Sequence, residues 1–242
     1  MLALYNSPIS TCSQKVRMAL AEKDLDWEDR RITFATGEHL SEWYKKLNPN
    51  GVVPTLVHDD AVIIDSSVIN EYLEDAFPDK PLRPADLAKR GAMRAWRQYI
   101  DEVPTVAIRV PSFNAHFVKL VAELTDEQFN AYVERLPLRK YFYRRMGRTG
   151  FSDQDVKDAL EQLRQTLERM EESLEDGPWL IGEQFTLADI SVMPTIVRME
   201  DLGLAKMWSD LPRVTDWYKR LQARPTFATT YYEGTRALGP NC

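Results

Sequence analysis

Ser10, Thr11, Cys12 and Ser13 form an unbroken run of hydroxyl and thiol side chains where helical spacing of apolar residues (Val16, Ala19, Leu20) begins. A hydroxyl that donates a hydrogen bond, aided by the amides of a first helical turn, stabilises an anion. An ionised Cys12 would itself be a nucleophile, but no second cysteine lies nearby to make a CxxC redox pair. The ordinary alternative for all four is capping of the helix, with Ser10 or Thr11 as the N-cap. A second polar cluster, Asp65-Ser66-Ser67, ends a short β-branched strand and offers capping oxygens to a helix carrying Val68, Ile69, Tyr72 and Leu73. Between the two clusters lies the tight turn Asn48-Pro49-Asn50-Gly51, where Asn-Gly tolerates positive φ. An apolar run Val52–Val57 follows, interrupted by Pro54, which lacks the N–H of an interior strand residue and so belongs at an edge or a start. The Val53–Pro54 bond is a candidate cis bond.

These clusters need elements to hold them. Leu2 to Tyr5 reads as a strand, residues 10–23 as a helix, and residues 25–32 contain a second strand. A short helix over 38–47, a hairpin turning at His58-Asp59-Asp60, and a helix over 65–76 complete the order β-α-β-α-β-β-α. That order predicts a thioredoxin-like mixed sheet with flanking helices. Three prolines within 77–84 exclude a helix and read as a linker. Beyond it nearly everything is helical by pattern. Asp86 opens a helix disturbed by Pro104 and Pro111, and a Thr125–Gln128 capping box opens another, disturbed by Pro137. Ser152 caps a long helix whose apolar residues run from Val156 to Leu174, and Thr186–Asp189 opens a further one. A last helix is expected from Asp210 to near Pro225, then an aperiodic tail to Cys242. The fold class is thus an α/β thioredoxin-like domain (1–77), a linker (78–85) and an all-α helical-bundle domain (86–242).

The chain has 242 residues, 44% of them hydrophobic, enough for two modest domains. Its net charge of −6 argues against a nucleic-acid or anionic-membrane partner. No apolar run approaches the ~18–20 residues of a membrane span, no secretory signal is evident, and two cysteines make no disulfide framework. A reducing, cytoplasmic setting follows as the expectation. No metal site is expected.

NPNGVVPTL, the hairpin, Asp65-Ser66 and the apolar helix after it resemble the glutathione-binding half of glutathione S-transferases. Phe185-Thr-Leu-Ala-Asp189 likewise resembles the capping box that family carries in a buried helix, where it folds the domain and does no chemistry. The resemblance implies glutathione as co-substrate. It implies a cis Pro54, with the Val53 backbone pairing with the cysteinyl part of the ligand, and Asp65 and Ser66 holding the γ-glutamyl end. Gly37-Glu38-His39-Leu40-Ser41 is similar to theta-like members, which implies His39 near the glycine carboxylate. Many relatives carry a lysine at the position of Val52, and its lack here makes His39 or Lys46 more needed. Aligned on Lys15-Val16-Arg17, the thiol-activating serine of theta- and zeta-like enzymes matches Ser10, leaving Ser13, Thr11 and Cys12 as alternatives.

The helical half is expected to supply a hydrophobic electrophile pocket from Tyr99, Val103, Ile108, Phe113, Phe117, Tyr141 and Phe142. Several short stretches, among them Leu82-Arg-Pro-Ala-Asp86 and Leu124-Thr-Asp-Glu127, are similar to bacterial lignin β-etherases, which split β-aryl ethers with glutathione. The function implied is detoxification-type glutathione transfer to a hydrophobic electrophile, with β-aryl ether cleavage as its specific form. Thiol-disulfide exchange through Cys12 and a non-catalytic interaction protein are the alternatives. A homodimer is implied, with the α/β half of each subunit against the helical half of the other. The basic cluster Arg139-Lys140, Arg144-Arg145 and Arg148 reads as a solvated or acid-paired helix face, with anionic substrate steering as the other option.

Overall fold

The computed structural model describes residues 1–236, so the end of the expected tail, 237–242, lies outside the described residues. Strand β1 (Leu2–Asn6) lies inside a four-stranded sheet of order β2-β1-β3-β4. Helix α1 (Thr11–Glu22) carries the chain back across the sheet, so β2 (Glu28–Arg31) pairs parallel to β1. β3 (Thr55–His58) and β4 (Ala61–Ile64) form an antiparallel hairpin on the other side. The sequence pattern starts β3 at Val52, yet it begins at Thr55, because Pro54 has no N–H for the ladder. The Val53–Pro54 bond is cis, and Gly51 has a φ of 60°. Helices α2 (Glu42–Leu47) and α3 (Ser66–Ala76) complete a thioredoxin-like unit, with Leu4, Val16, Leu20, Leu56, Ile69 and Leu73 in its core.

The proline-rich stretch is pinned from beneath. Lys23 and Glu74 pair at 2.6 Å with neither side chain reaching solvent. The Lys23 ammonium also donates to the carbonyls of Phe77 (2.9 Å) and Lys80 (3.0 Å), while Glu74 accepts from the Leu82 amide at 3.0 Å. Those extra bonds are what make a buried ion pair tolerable.

The helical half begins with α4 (Leu87–Glu102), α5 (Pro104–Ala107), α6 (Arg109–Ser112) and a single π-helical turn at Phe113–Phe117. Pro104 and Pro111 do not end helical structure. They divide it into short offset pieces, Pro104 taking the first position of α5, where its missing N–H costs nothing. α7 (Asp126–Glu134) and α9 (Asp153–Ser173) open with the Thr125 and Ser152 capping boxes, and α8 (Lys140–Met146) lies between them. α10 (Leu187–Asp201) is buried almost all round, and its capping residue Asp189 is fully buried. α11 (Pro212–Gln222) starts two residues after the expected Asp210, whose carboxylate instead takes two bonds from Arg164, at 2.7 and 2.8 Å. Pro225, expected near the last helix end, opens a further short helix, α12 (Pro225–Thr230). α10 and α12 both pack on α1, so the two halves share one core.

Candidate active site

Ser10 is the N-cap of α1, and its Oγ accepts the Ser13 amide at 3.3 Å. Its own O–H is left to donate elsewhere. Among the described residues the amides of Thr11 and Cys12 have no acceptor, as expected for a first helical turn. A hydroxyl and two amides at the positive end of a twelve-residue helix make a site for an anion. Two buried arginines hold this turn. Arg17 donates to Asn6 Oδ1 and the Pro8 carbonyl, both at 2.9 Å, and Arg198 reaches across from α10 to the Ile9 carbonyl at 2.6 Å. Neither is evident in sequence, although a lone arginine inside apolar α10 is a signal that could find Arg198.

The turn opens into a largely apolar cleft, part of it open to solvent. One wall is Gly51-Val52-Val53. Tyr44 Oη (2.8 Å) and Asn48 Nδ2 (2.9 Å) both donate to the Val52 carbonyl and fix that loop. The N–H and C=O of Val53 pair with nothing among the described residues, which leaves them for an extended ligand backbone. His39, on the turn Glu38–Leu40, lines the same wall with its ring edge-on to Phe34 at 5.0 Å. Burial, with Arg135 adding to it, pushes the imidazole down to about 4. The imidazole of His39 is therefore neutral at neutral pH.

Asp65 and Ser66 lie outside the lining of that cleft, at the start of α3. Asp65 has a φ of 72°, a conformation that costs a non-glycine residue, and its Oδ1 accepts from Ser67 N (2.8 Å) and Val68 N (3.1 Å). Buried Ser66 makes no hydrogen bond through its hydroxyl among the described residues. Behind it, Ser67 bonds both Lys15 and Asp101, Lys15 and Asp101 pair at 2.9 Å, and Arg97 contacts Glu71 and the Ser67 carbonyl. Sequence reasoning missed this network, whose members come from three helices.

Ser10, Thr11, Cys12, His39, Val53, Ile108, Phe113 and Phe117 line the cleft, with Pro54 directly behind Val53. Ser13 does not. It is fully buried, its hydroxyl accepting the Ser7 amide at 3.3 Å. Tyr99, Val103 and Tyr141 also lie off the lining. Tyr99 is hydrogen-bonded to Thr166 at 2.9 Å, and Val103 caps α4. Tyr141 is 78% exposed, because Tyr143 on the same helix turns inward and a residue two positions away faces elsewhere. Phe142 packs against Phe113 at 4.7 Å, behind the lining. Tyr132, Leu136 and Tyr143 line the cleft and were missed, since α7, α8 and the connection between them bring these residues in from a separate apolar cluster.

The basic cluster splits. Lys140 and Arg144 pair with Glu134, Arg145 with Asp155, and Arg148 with Asp126, so this part is the acid-paired face that the sequence suggests. Arg139 departs from it and lines the cleft with Arg109. Among the described residues no three His, Cys, Asp or Glu side chains are grouped to hold a metal, and no helix is long and apolar enough to cross a membrane.

A thioredoxin-like sheet, an anion-stabilising first helical turn and an apolar cleft beneath a helical domain together define a two-domain thiol-handling class. Comparison with known proteins agrees. The model of the glutathione S-transferase N-terminal domain matches residues 4–81, and that of its C-terminal domain residues 131–225. Protein LigF of Sphingobium sp. strain SYK-6 is 30% identical over 97% of this chain and 95% of its own length. The crystal structure of the β-etherase LigF superposes with a TM-score of 0.86, covering 95% of this chain and 98% of that one. A tetrachloro-p-hydroquinone reductive dehalogenase of Sphingobium chlorophenolicum is 29% identical over 94% of each chain. The chain belongs to the glutathione S-transferase family, enzymes whose co-substrate is glutathione.

Proposed function

We propose that this transferase ionises the glutathione thiol with the Ser10 hydroxyl and the Thr11 and Cys12 amides, and directs the thiolate at an aromatic electrophile in the cleft. Glutathione lies extended along Val53, its γ-glutamyl end at Asp65 and Ser66 and its glycine carboxylate toward His39. The division of labour follows residues 1–77 for glutathione and 86–242 for the electrophile, joined by 78–85. The observation that carries the reading is the uncommitted Ser10 hydroxyl and its two neighbouring amides opening straight into an apolar cleft.

β-Aryl ether cleavage is the specific reaction, supported by likeness to LigF over nearly the whole chain. The sulfur attacks the carbon that bears the aryloxy group, the C–S bond forms as the C–O bond breaks, and the departing phenolate takes a proton from solvent. A fluorogenic β-aryl ether tests it. Glutathione-dependent release of the phenol is expected, falling about ten- to a hundredfold in Ser10→Ala, since one hydrogen bond to a charged group is worth ~1.5–3 kcal/mol. No release from the ether, with aryl halides still conjugated, would reject the etherase form alone. Cys12 also lines the cleft, so disulfide exchange is the second reading. It requires Cys12→Ser to abolish activity.

The functional unit is a homodimer in a cytoplasmic setting. The family resemblance supports the dimer, as do exposed apolar side chains on both halves, Val62 and Val68 on one and Leu87 on the other.

A further inference from the structure

Arg109 and Arg139 stand out within the cleft lining. Arg109 belongs to α6, and Arg139 precedes α8, yet both border the same apolar space as Phe113, Phe117 and Leu136. Neither guanidinium has a carboxylate within 4 Å or a hydrogen-bond partner among the described residues, whereas Arg144, Arg145 and Arg148 are each paired. Two like charges beside one another in an apolar cleft destabilise the empty protein. The strain is legible at Arg139, whose guanidinium is pushed down to about 10 by burial first and then by Arg109. Arg139 lines the same cleft as Ser10, Thr11 and Cys12.

Glutathione does not account for this pair. On the placement proposed above, its γ-glutamyl end goes to the α3 N-terminus and its glycine carboxylate to His39, with Arg135 near enough to act on that ring. What remains is the electrophile. We infer that Arg109 and Arg139 bind a carboxylate carried by the aromatic electrophile, so that the enzyme selects anionic aryl substrates over neutral ones. The planar fork of a guanidinium matches a carboxylate, which is fully ionised at neutral pH, while a phenol with a pKa of ~10 is not. The walls of Phe113 and Phe117 take the ring, and the arginines its charged substituent. This inference rests on the transferase reading of the cleft.

Binding of two conjugates tests it apart from turnover. S-(4-carboxy-2-nitrophenyl)glutathione and its aryl methyl ester differ only in that charge, and calorimetry gives the affinity of each, and of glutathione, for wild type, Arg109→Gln and Arg139→Gln. The carboxylate conjugate is expected to bind wild type at least tenfold more tightly than the ester, and either substitution should bring the two within about threefold. Melting temperatures of both variants should equal or exceed that of wild type, because a like-charge contact is relieved. Equal affinities in wild type, a preference that survives both substitutions, or a lowered melting temperature that marks the pair as structural would each overturn the proposal. So would a loss of glutathione affinity equal to the loss for the carboxylate conjugate, which would assign the pair to glutathione itself. Failure of wild type to bind glutathione at all would remove the transferase reading first.

Discussion

Ser10 caps α1 and still has a proton to donate, because capping uses the oxygen as acceptor and leaves the O–H free. Ser13 likewise only accepts, from the Ser7 amide, but it is fully buried and off the cleft lining, and that position separates it from Ser10. A run of four hydroxyl and thiol side chains before a helix was legible in sequence. Which of the four face the cleft was not, since that depends on how Arg17 and Arg198 clamp the Asn6–Ser10 turn from opposite sides. Arg139 was illegible for a similar reason. Its neighbours in sequence are solvated and paired, and only the position of α8 turns it inward. His39 carries a prediction at this scale. Its imidazole titrates near 6.5 when unfolded and about 4 when folded. Between those values the unfolded chain binds a proton that the folded chain refuses, so stability falls as pH drops through that window, by at most roughly 3 kcal/mol. Urea unfolding from pH 7 to pH 4 should show this loss in wild type and a shallower one in His39→Gln. Parallel pH profiles would count against a buried neutral His39.

At the scale of elements, capping boxes were the most legible feature, because side-chain and backbone partners lie three residues apart and need no tertiary context. Thr125 and Thr186 open helices with the boxes expected, and Ser152, expected only as a cap, completes a box with Asp155. Proline was harder to interpret. Pro104 and Pro225 each mark a first helical turn, where the sequence pattern suggested interruption or an end. Start and interruption share the same local signal, and packing decides between them. Asp189 shows what such an element can hold. Its carboxylate accepts from Leu180 N (3.0 Å), Trp217 Nε1 (2.9 Å) and Thr186 N (3.0 Å), joining three segments of the helical half. Asp189→Ala would leave those donors buried without acceptors. A loss of about 3–5 kcal/mol is expected by chemical denaturation, with glutathione affinity kept in whatever fraction remains folded. A change under about 1 kcal/mol would contradict the role given to that carboxylate.

For the whole molecule, the two-part organisation follows from composition and punctuation: an alternating α/β pattern, three prolines, then helices alone. The contact between the parts was hidden. Buried Lys23 and Glu74 seat the proline stretch, and α10 packs on α1, although each residue involved looks like an ordinary helix position in sequence. The cleft exists only because the halves meet in this way. Gly51, for instance, lies so close to Pro137 of the helical half that a Cβ there would come within 3.3 Å of it. The proposed homodimer belongs at this scale. Light scattering at micromolar concentration should return twice the chain mass, and Val68→Arg, at a side chain 54% exposed, should halve it. A wild-type monomer would contradict the dimer.

The central claim is that Ser10 ionises the bound thiol, and titrating that thiol is the direct measurement. Thiolate absorbance of the glutathione complex, followed against pH, should give a midpoint well below the ~8.5 of a free thiol. In Ser10→Ala that midpoint should rise by roughly one to two units while glutathione still binds, the loss of one charge-assisted hydrogen bond at ~1.36 kcal/mol per unit. An unchanged midpoint in Ser10→Ala, or a rise seen instead in Ser13→Ala or Cys12→Ser, would contradict the account.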